Sequence, residues 1–192
     1  ANSMYGIYIT DDNFLHAIQS CLNTNPSDGL CAYSEYGQMP NWDVSRVTNM
    51  RSAFLSKSGF RANIGSWNTS QVTDMTSMFQ SAGSFNQDIG DWDTGNVIDM
   101  SYMFDGAEHF NQDIGKWNVN KVTLMSHIFY KAIAFNQYIG KWLIRRDCDV
   151  PNIFECSGVS KETFEGKLYG NKIAEYFNLN SPNEDKVWEP YT

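Results

Sequence analysis

Trp67-Asn68-Thr69-Ser70-Gln71-Val72-Thr73-Asp74-Met75-Thr76-Ser77-Met78-Phe79 runs on through Gln80-Ser81-Ala82-Gly83-Ser84-Phe85-Asn86-Gln87-Asp88-Ile89-Gly90-Asp91, and at Trp92 the same phrase begins again. Working outward, Trp42, Trp67, Trp92, Trp117 and Trp142 fall at one 25-residue spacing. The segments between them align without a gap. Ile64, Ile89, Ile114 and Ile139 precede a Trp by three residues, and Gly65, Gly90, Gly115 and Gly140 by two. Val47, Val72, Val97 and Val122 follow it by five; Phe54, Phe79, Phe104 and Phe129 by twelve; Phe60, Phe85, Phe110 and Phe135 by eighteen. Self-similarity at such a period is the mark of a repeat architecture.

Each unit has a physical reading. Val47, Met50, Ala53 and Phe54, and then Val72, Met75, Met78, Phe79 and Ala82, lie three and four apart. That spacing predicts one apolar stripe on a helix of two to three turns, with Thr48, Thr73 and Thr123 at its start. The Ile-Gly-x-Trp-x-Val/Thr half alternates and predicts a short strand, with Trp67 and Thr69 on one face and Asn68 and Ser70 on the other. The glycine implies either a positive φ or a close backbone approach. Phe85-Asn86-Gln87-Asp88 reads as the connecting turn. A unit this short cannot close a core alone, but stacked copies bury their Trp, Ile, Val, Met and Phe columns continuously. The expected fold is an α/β solenoid: a leucine-rich-repeat-like stack of about four strand–turn–helix units with helical caps.

The whole chain, 1–192, is expected to be one domain: an N-terminal cap over 1–39, repeats over 40–142, and a C-terminal cap and tail over 143–192. Phe14, Leu15, Ile18, Cys21 and Leu22 predict an amphipathic helix over 11–22 that covers the first unit. Residues 160–179 predict one or two more, with Phe164, Leu168, Ile173, Tyr176 and Phe177 as the apolar side, and Trp188 and Tyr191 suggest a docked tail.

An apolar content of 42% in 192 residues is enough for a real core. The formal charge of -8 and pI of 4.7 disfavour nucleic acid and anionic membrane surfaces as partners. No apolar run approaches the roughly 20 residues of a membrane helix, so no membrane insertion is expected. No charged leader with an apolar stretch is visible at Ala1-Asn2-Ser3, a start that fits a processed chain. Cys21 and Cys31 lie in one flank and Cys148 and Cys156 in the other, which predicts two local disulfides and an oxidising compartment; four thiols in a reducing one is the alternative. No CxxC occurs and His16, His109 and His127 are scattered, so neither a metal nor a cofactor is expected.

The segment Trp67–Phe79, with Ala82, Phe85-Asn86-Gln87-Asp88-Ile89 and Trp92, and its close copy at Asn111-Gln112-Asp113-Ile114 and Trp117, resembles the 25-residue repeat of BspA-like surface proteins. The same repeat is associated with Mycoplasma surface lipoproteins and occurs in some protists and algae. The resemblance covers 40–142. It implies a relative of leucine-rich repeats and a secreted or cell-surface role in adhesion or protein binding, and it names no ligand. Ile-x-x-Trp-x-Val matches the leucine-rich frame, whereas Val97 and its equivalents stand where that frame has its ladder Asn. Ile98 for Thr, Arg61-Ala62-Asn63 for Asn-Gln-Asp, and Tyr138 for Asp depart from the pattern.

The candidate binding surface is the outward strand row Asp43, Asn68, Asp93 and Asn118, with Ser45, Ser70, Gly95 and Asn120 beside it and then Arg46, Gln71, Asn96 and Lys121. It suits a protein or glycan partner; a plain solvated face is the bland alternative. Asn68-Thr69-Ser70 is also a glycosylation sequon. Asp88 and Asp113, stacked with Asn86, Asn111, Gln87 and Gln112, have the donor types for calcium, but turn capping and bonding between layers suit them better. Thr48, Thr73, Thr123, Thr69 and Thr94 form rows that capping explains better than ice binding. No catalytic residues are assigned: no Ser or Cys matches a His into a triad, and no glycine-rich phosphate loop occurs. The expected function is non-enzymatic binding through a repeat-built face, with a structural subunit of a larger assembly as the alternative.

Overall fold

The computed structural model describes residues 8–145 and 147–159. The 25-residue step is present, but the secondary structure is not the expected one. Among the described residues there is one α-helix, α1 (Phe14–Thr24), and one 3-10 turn (Met39–Asn41). Strand pairing is limited to isolated parallel bridges, Asn49–Asp74, Asp74–Asp99, Asp99–Leu124 and Leu124–Asp149, with Thr10–Arg46 before them. The α/β solenoid of strand–turn–helix units is therefore corrected: each unit is a chain of turns.

The segment expected to be helical shows why. Ala53, Leu55 and Lys57 donate N–H groups to Met50, Ser52 and Phe54 carbonyls, three consecutive overlapping turns. Ser52 (φ 56) and Ser56 (φ 58) are left-handed, which no α-helix permits. The alternate N–H groups of Met50, Ser52, Phe54 and Ser56 point along the stack and donate at 2.8–2.9 Å to Asp74, Thr76, Met78 and Gln80 of the next unit. Met75, Ser77, Phe79 and Ser81 repeat this toward Asp99, Ser101, Met103 and Asp105, and the next two units do the same. A helix of two turns leaves most of its end groups unpaired and is marginal in water. The turn chain instead satisfies alternate peptides on an identical neighbour while still sending Met50, Ala53 and Phe54 inward. The three-and-four spacing is common to both geometries. The left-handed positions carry Ser52, Ser77, Tyr102, His127 and Asn152 in one column and Ser56, Ser81, Gly106, Lys131 and Cys156 in the other.

The expected strand half is also built of turns. Asp43, Asn68, Asp93 and Asn118 each accept, through Oδ1, the N–H two residues on. Asn49, Asp74 and Asp99 form a second such column, and Asn63, Asp88 and Asp113 a third. These side chains hold the corners of each layer.

The core is a set of aromatic ladders. Phe54–Phe60, Phe79–Phe85, Phe104–Phe110 and Phe129–Phe135 stack at 3.9 Å within their layers. Phe54–Phe79, Phe79–Phe104 and Phe104–Phe129 stack between layers at 5.5, 5.6 and 5.8 Å. The repeated Trp has a polar reason as well. Indole Nε1 of Trp92, Trp117 and Trp142 donates at 3.1 Å to the carbonyls of Ile64, Ile89 and Ile114, so the buried donor is satisfied by the unit before. Of the two roles open to the repeated glycine, close approach applies: a Cβ on Gly90 would lie 2.5 Å from the Asp113 carbonyl oxygen, and one on Gly115 2.6 Å from that of Tyr138.

The N-terminal end is closed by α1 and by one carboxylate. Phe14, Ala17, Ile18, Cys21 and Leu22 of α1 are buried, Phe14 lies edge-on to Trp67, and Leu15 is exposed. Within the stack, Thr73 and Asp74 N–H and the Thr73 hydroxyl all point at the Thr48 carbonyl. Among the described residues no repeat unit offers Thr48 that carbonyl, and Asp11 supplies the acceptor: its Oδ1 takes Thr48 N–H (2.8 Å) and Asn49 N–H (3.0 Å), and its Oδ2 the Thr48 hydroxyl (2.6 Å). Cys21 and Cys31 form a disulfide that ties α1 to the loop after it. The second expected bridge is corrected: Cys148 and Cys156 are thiols, because the turn chain puts Cys148 inside and Cys156 at a left-handed corner. The helices expected over 160–179, and Trp188 and Tyr191, lie outside the described residues.

Candidate functional site

The sequence-predicted row is brought together by the stack, though on turns rather than on a strand. Asp43, Asn68, Asp93 and Asn118 are all exposed and occupy the same corner of successive layers. Their Oδ1 atoms are spent on the corner, which leaves the second oxygen of each Asp and the amide NH2 of each Asn outside the turn bonds, that of Asn118 beside Gly95 of the layer before. Ser45 beside Asp43, with an added pull from Arg46, holds the Asp43 carboxyl below the usual carboxylate range. The flanking column is coupled between layers: Lys121 Nζ donates to Asn96 Oδ1 (2.6 Å), and Asn96 Nδ2 to the Ser70 carbonyl (2.7 Å). Gln71 is exposed, and Arg46 lies 4.1 Å over the Tyr8 ring. At the N-terminal end of the row, Pro40, Trp42, Ser66 and Asn68 line a shallow depression of about 370 Å³.

Two other candidates resolve into structure. Asp88 and Asp113 hold turns through Gly90 and Gly115. Asn111 and Asn136 N–H donate to Asn86 and Asn111 Oδ1, and Gln112 and Gln137 Nε2 reach the same atoms, so the amides form a ladder between layers. Thr69 and Thr94 are buried, and their hydroxyls donate to the Asp93 and Asn118 carbonyls. The Thr48 hydroxyl donates to Asp11, that of Thr73 to the Thr48 carbonyl, and Thr123 N–H to the Ile98 carbonyl at 2.9 Å, so this column is spent on bonds between layers.

A second column gathers charge. Arg51 reaches Asp74 at 3.1 Å and Asp99 at 3.9 Å, bridging two layers. Burial on its own would raise the Asp74 carboxyl, but Thr76, whose N–H donates at 2.8 Å, and Arg51 together hold it below the usual range. Leu124 interrupts this column and is exposed beside exposed Ile98, the two joined by a backbone hydrogen bond.

The histidines stay apart. His16 lies 3.5 Å from Glu35, His109 Nδ1 2.7 Å from the Gly83 carbonyl, and His127 Nε2 2.9 Å from Asn152. His127 stacks on Tyr102 at 4.9 Å. Among the described residues no group of three His, Cys, Asp or Glu could hold a metal.

Sequence reasoning missed one concavity. Where the turn chain leaves the inner Phe, the side chains of successive layers build a groove of about 750 Å³, with Ser58, Ser84, Asp105, Glu108, His109 and Lys131 among its walls. Its residues fall at the variable positions of the repeat. The available signal was a change of character at one register: Gly59, Ser84 and His109, and likewise Ser58, Gly83 and Glu108, are equivalent positions.

A family model described as "Mycoplasma protein of unknown function, DUF285" matches the chain twice, over residues 30–142 and 54–165. The offset of the two matches reflects the repeat. Neither a curated protein nor a solved structure matches the chain.

Proposed function

The chain belongs to this DUF285 family, and from that premise we propose that it is a non-enzymatic recognition module of a BspA-like kind, secreted or held at a cell surface, which binds a protein or glycan through the corner column of its stacked units. The observation that carries the reading is the column itself. Asp43, Asn68, Asp93 and Asn118 stand in register, each exposed and each held by its own turn with one polar atom left outside that bond. Such preorganisation removes much of the ordering cost of binding. The Cys21–Cys31 disulfide supports an oxidising location.

The test is a comparison of the wild type with a variant in which Asp43, Asn68, Asp93 and Asn118 are all Lys. Both are incubated with surface extract, cross-linked and read by mass spectrometry. Capture of one partner by the wild type alone is expected; equal capture by the two proteins would remove the column from the reading.

One observation favours a second reading, a permanently docked subunit. Ile98 and Leu124 place an exposed apolar pair, 48% and 42% accessible, where neighbouring layers carry Thr and Asp. A subunit of that kind would associate through this pair, and Ile98→Thr with Leu124→Asp would leave it monomeric in sedimentation velocity.

A further inference from the structure

The groove across the turn chain has a lining of distinct chemistry. It crosses four successive layers, from Ser58 through Ser84 and Glu108 to Lys131. At parallel-strand spacing that is about 14 Å of length. Its volume, about 750 Å³, falls in the range of small-molecule sites. The Ser58, Ser81 and Ser84 hydroxyls and the Glu108 carboxylate make no side-chain hydrogen bond among the described residues. His109 is oriented with Nδ1 2.7 Å from the Gly83 carbonyl, so Nδ1–H donates there and Nε2 of the neutral ring is the nitrogen left to accept.

We propose that this groove binds a neutral oligosaccharide. Hydroxyls that both donate and accept, alternating with carboxylate and imidazole acceptors, match a ligand whose own groups are hydroxyls. Two carboxylates, Asp105 and Glu108, stand with one ammonium, Lys131, which disfavours a polyanion, and one excess negative charge is too little to hold a polycation. Gly59, Gly83 and Gly106 are among its lining, which includes no aliphatic side chain of the kind that forms a pocket for a peptide anchor. Tyr130 contributes a ring at one wall, with Lys131 Nζ 5.0 Å from its centroid. Lys131 is held at φ 54, a conformation that L side chains rarely adopt, on that same wall.

The groove lies apart from the corner column, so the two readings fail separately. The full chain is titrated by calorimetry with malto-, cello-, xylo- and chitotetraose and with an oligolysine peptide. Two variants accompany it. Gly83→Gln fills the groove from a position where a Cβ meets nothing nearer than the Ser58 carbonyl oxygen at 3.9 Å. Glu108→Gln removes the carboxylate from an exposed site. Binding of at least one tetraose is expected, weakened about tenfold by Glu108→Gln, as the loss of one charge-assisted hydrogen bond requires, and by at least as much by Gly83→Gln, whose side chain occupies the groove. Thermal midpoints should match the wild type, and the four-Lys column variant should bind the sugar normally. Binding of the peptide alone, of no saccharide, or of a saccharide with unchanged affinity in both variants would overturn the proposal.

Discussion

Asp11→Ala tests the central structural claim, that each layer completes the hydrogen bonds of the next. The carboxylate replaces the carbonyl of a missing unit and accepts three bonds, from Thr48 N–H, Asn49 N–H and the Thr48 hydroxyl. A charged acceptor in a hydrogen bond contributes about 1.5–3 kcal/mol, but this site is exposed and water replaces part of it, so a net loss of about 1–2 kcal/mol is expected, as for a helix N-cap. For a chain of this size that is a fall of about 2–8 °C in Tm. The carboxyl also carries a pH signature. Burial pushes its pKa up, but the Thr48 and Asn49 bonds outweigh it and hold the folded carboxyl below the ordinary aspartate value. A depressed carboxylate contributes stability that is fully present above its unfolded pKa and lost as pH falls through the folded one. The gap between wild type and Asp11→Ala should therefore be constant from pH 5 to 8, on the order of the figure above, and should close below the unfolded value. Urea unfolding followed by Trp fluorescence at several pH values measures it, with exposed Asp12→Ala as the control. Equal stability of Asp11→Ala and Asp12→Ala at neutral pH would refute the capping account.

Other perturbations follow from the same geometry. Gly90→Ala should destabilise by more than about 3 kcal/mol, because its Cβ would meet the Asp113 carbonyl oxygen at 2.5 Å and both atoms belong to packed layers, whereas Gly83→Ala should stay within about 0.5 kcal/mol; urea midpoints compare them. Thr69→Val removes a buried bond to the Asp93 carbonyl, yet Val44 and Val119 fill the equivalent position, so the expected loss is about 1 kcal/mol. Losses above twice that would mean that the hydroxyl does more than pair one carbonyl. Reduction of Cys21–Cys31, which closes a 10-residue separation, should cost about 2–3 kcal/mol and leave the units beyond Trp92 folded, as amide exchange would show. Uniform loss of protection along the chain would contradict that local role.

What the sequence determined by itself is everything that periodicity controls. The register of Trp, Ile, Gly, Val and Phe at 25 residues dictates a stack in which equivalent positions meet, because only stacking buries columns that no single unit can cover. It also placed α1, whose Phe14, Ile18, Cys21 and Leu22 spacing is helical and has no competing partner, and it assembled the corner column. It could not distinguish helix from turn chain between Val47 and Lys57, since Met50, Ala53 and Phe54 face inward in both. Tertiary structure decided that point: the next layer offers four carbonyls, Asp74, Thr76, Met78 and Gln80, to N–H groups that a two-turn helix would largely leave unpaired. The Asx residues at 49, 74 and 99 and the Ser at 52, 56, 77 and 81 were the local signs of that outcome. Their meaning depends on a neighbouring layer that is 25 residues away in the chain and one hydrogen bond away in space. The same dependence hid the groove, for Ser58, Ser84 and Glu108 acquire a common surface only when the layers that carry them are stacked.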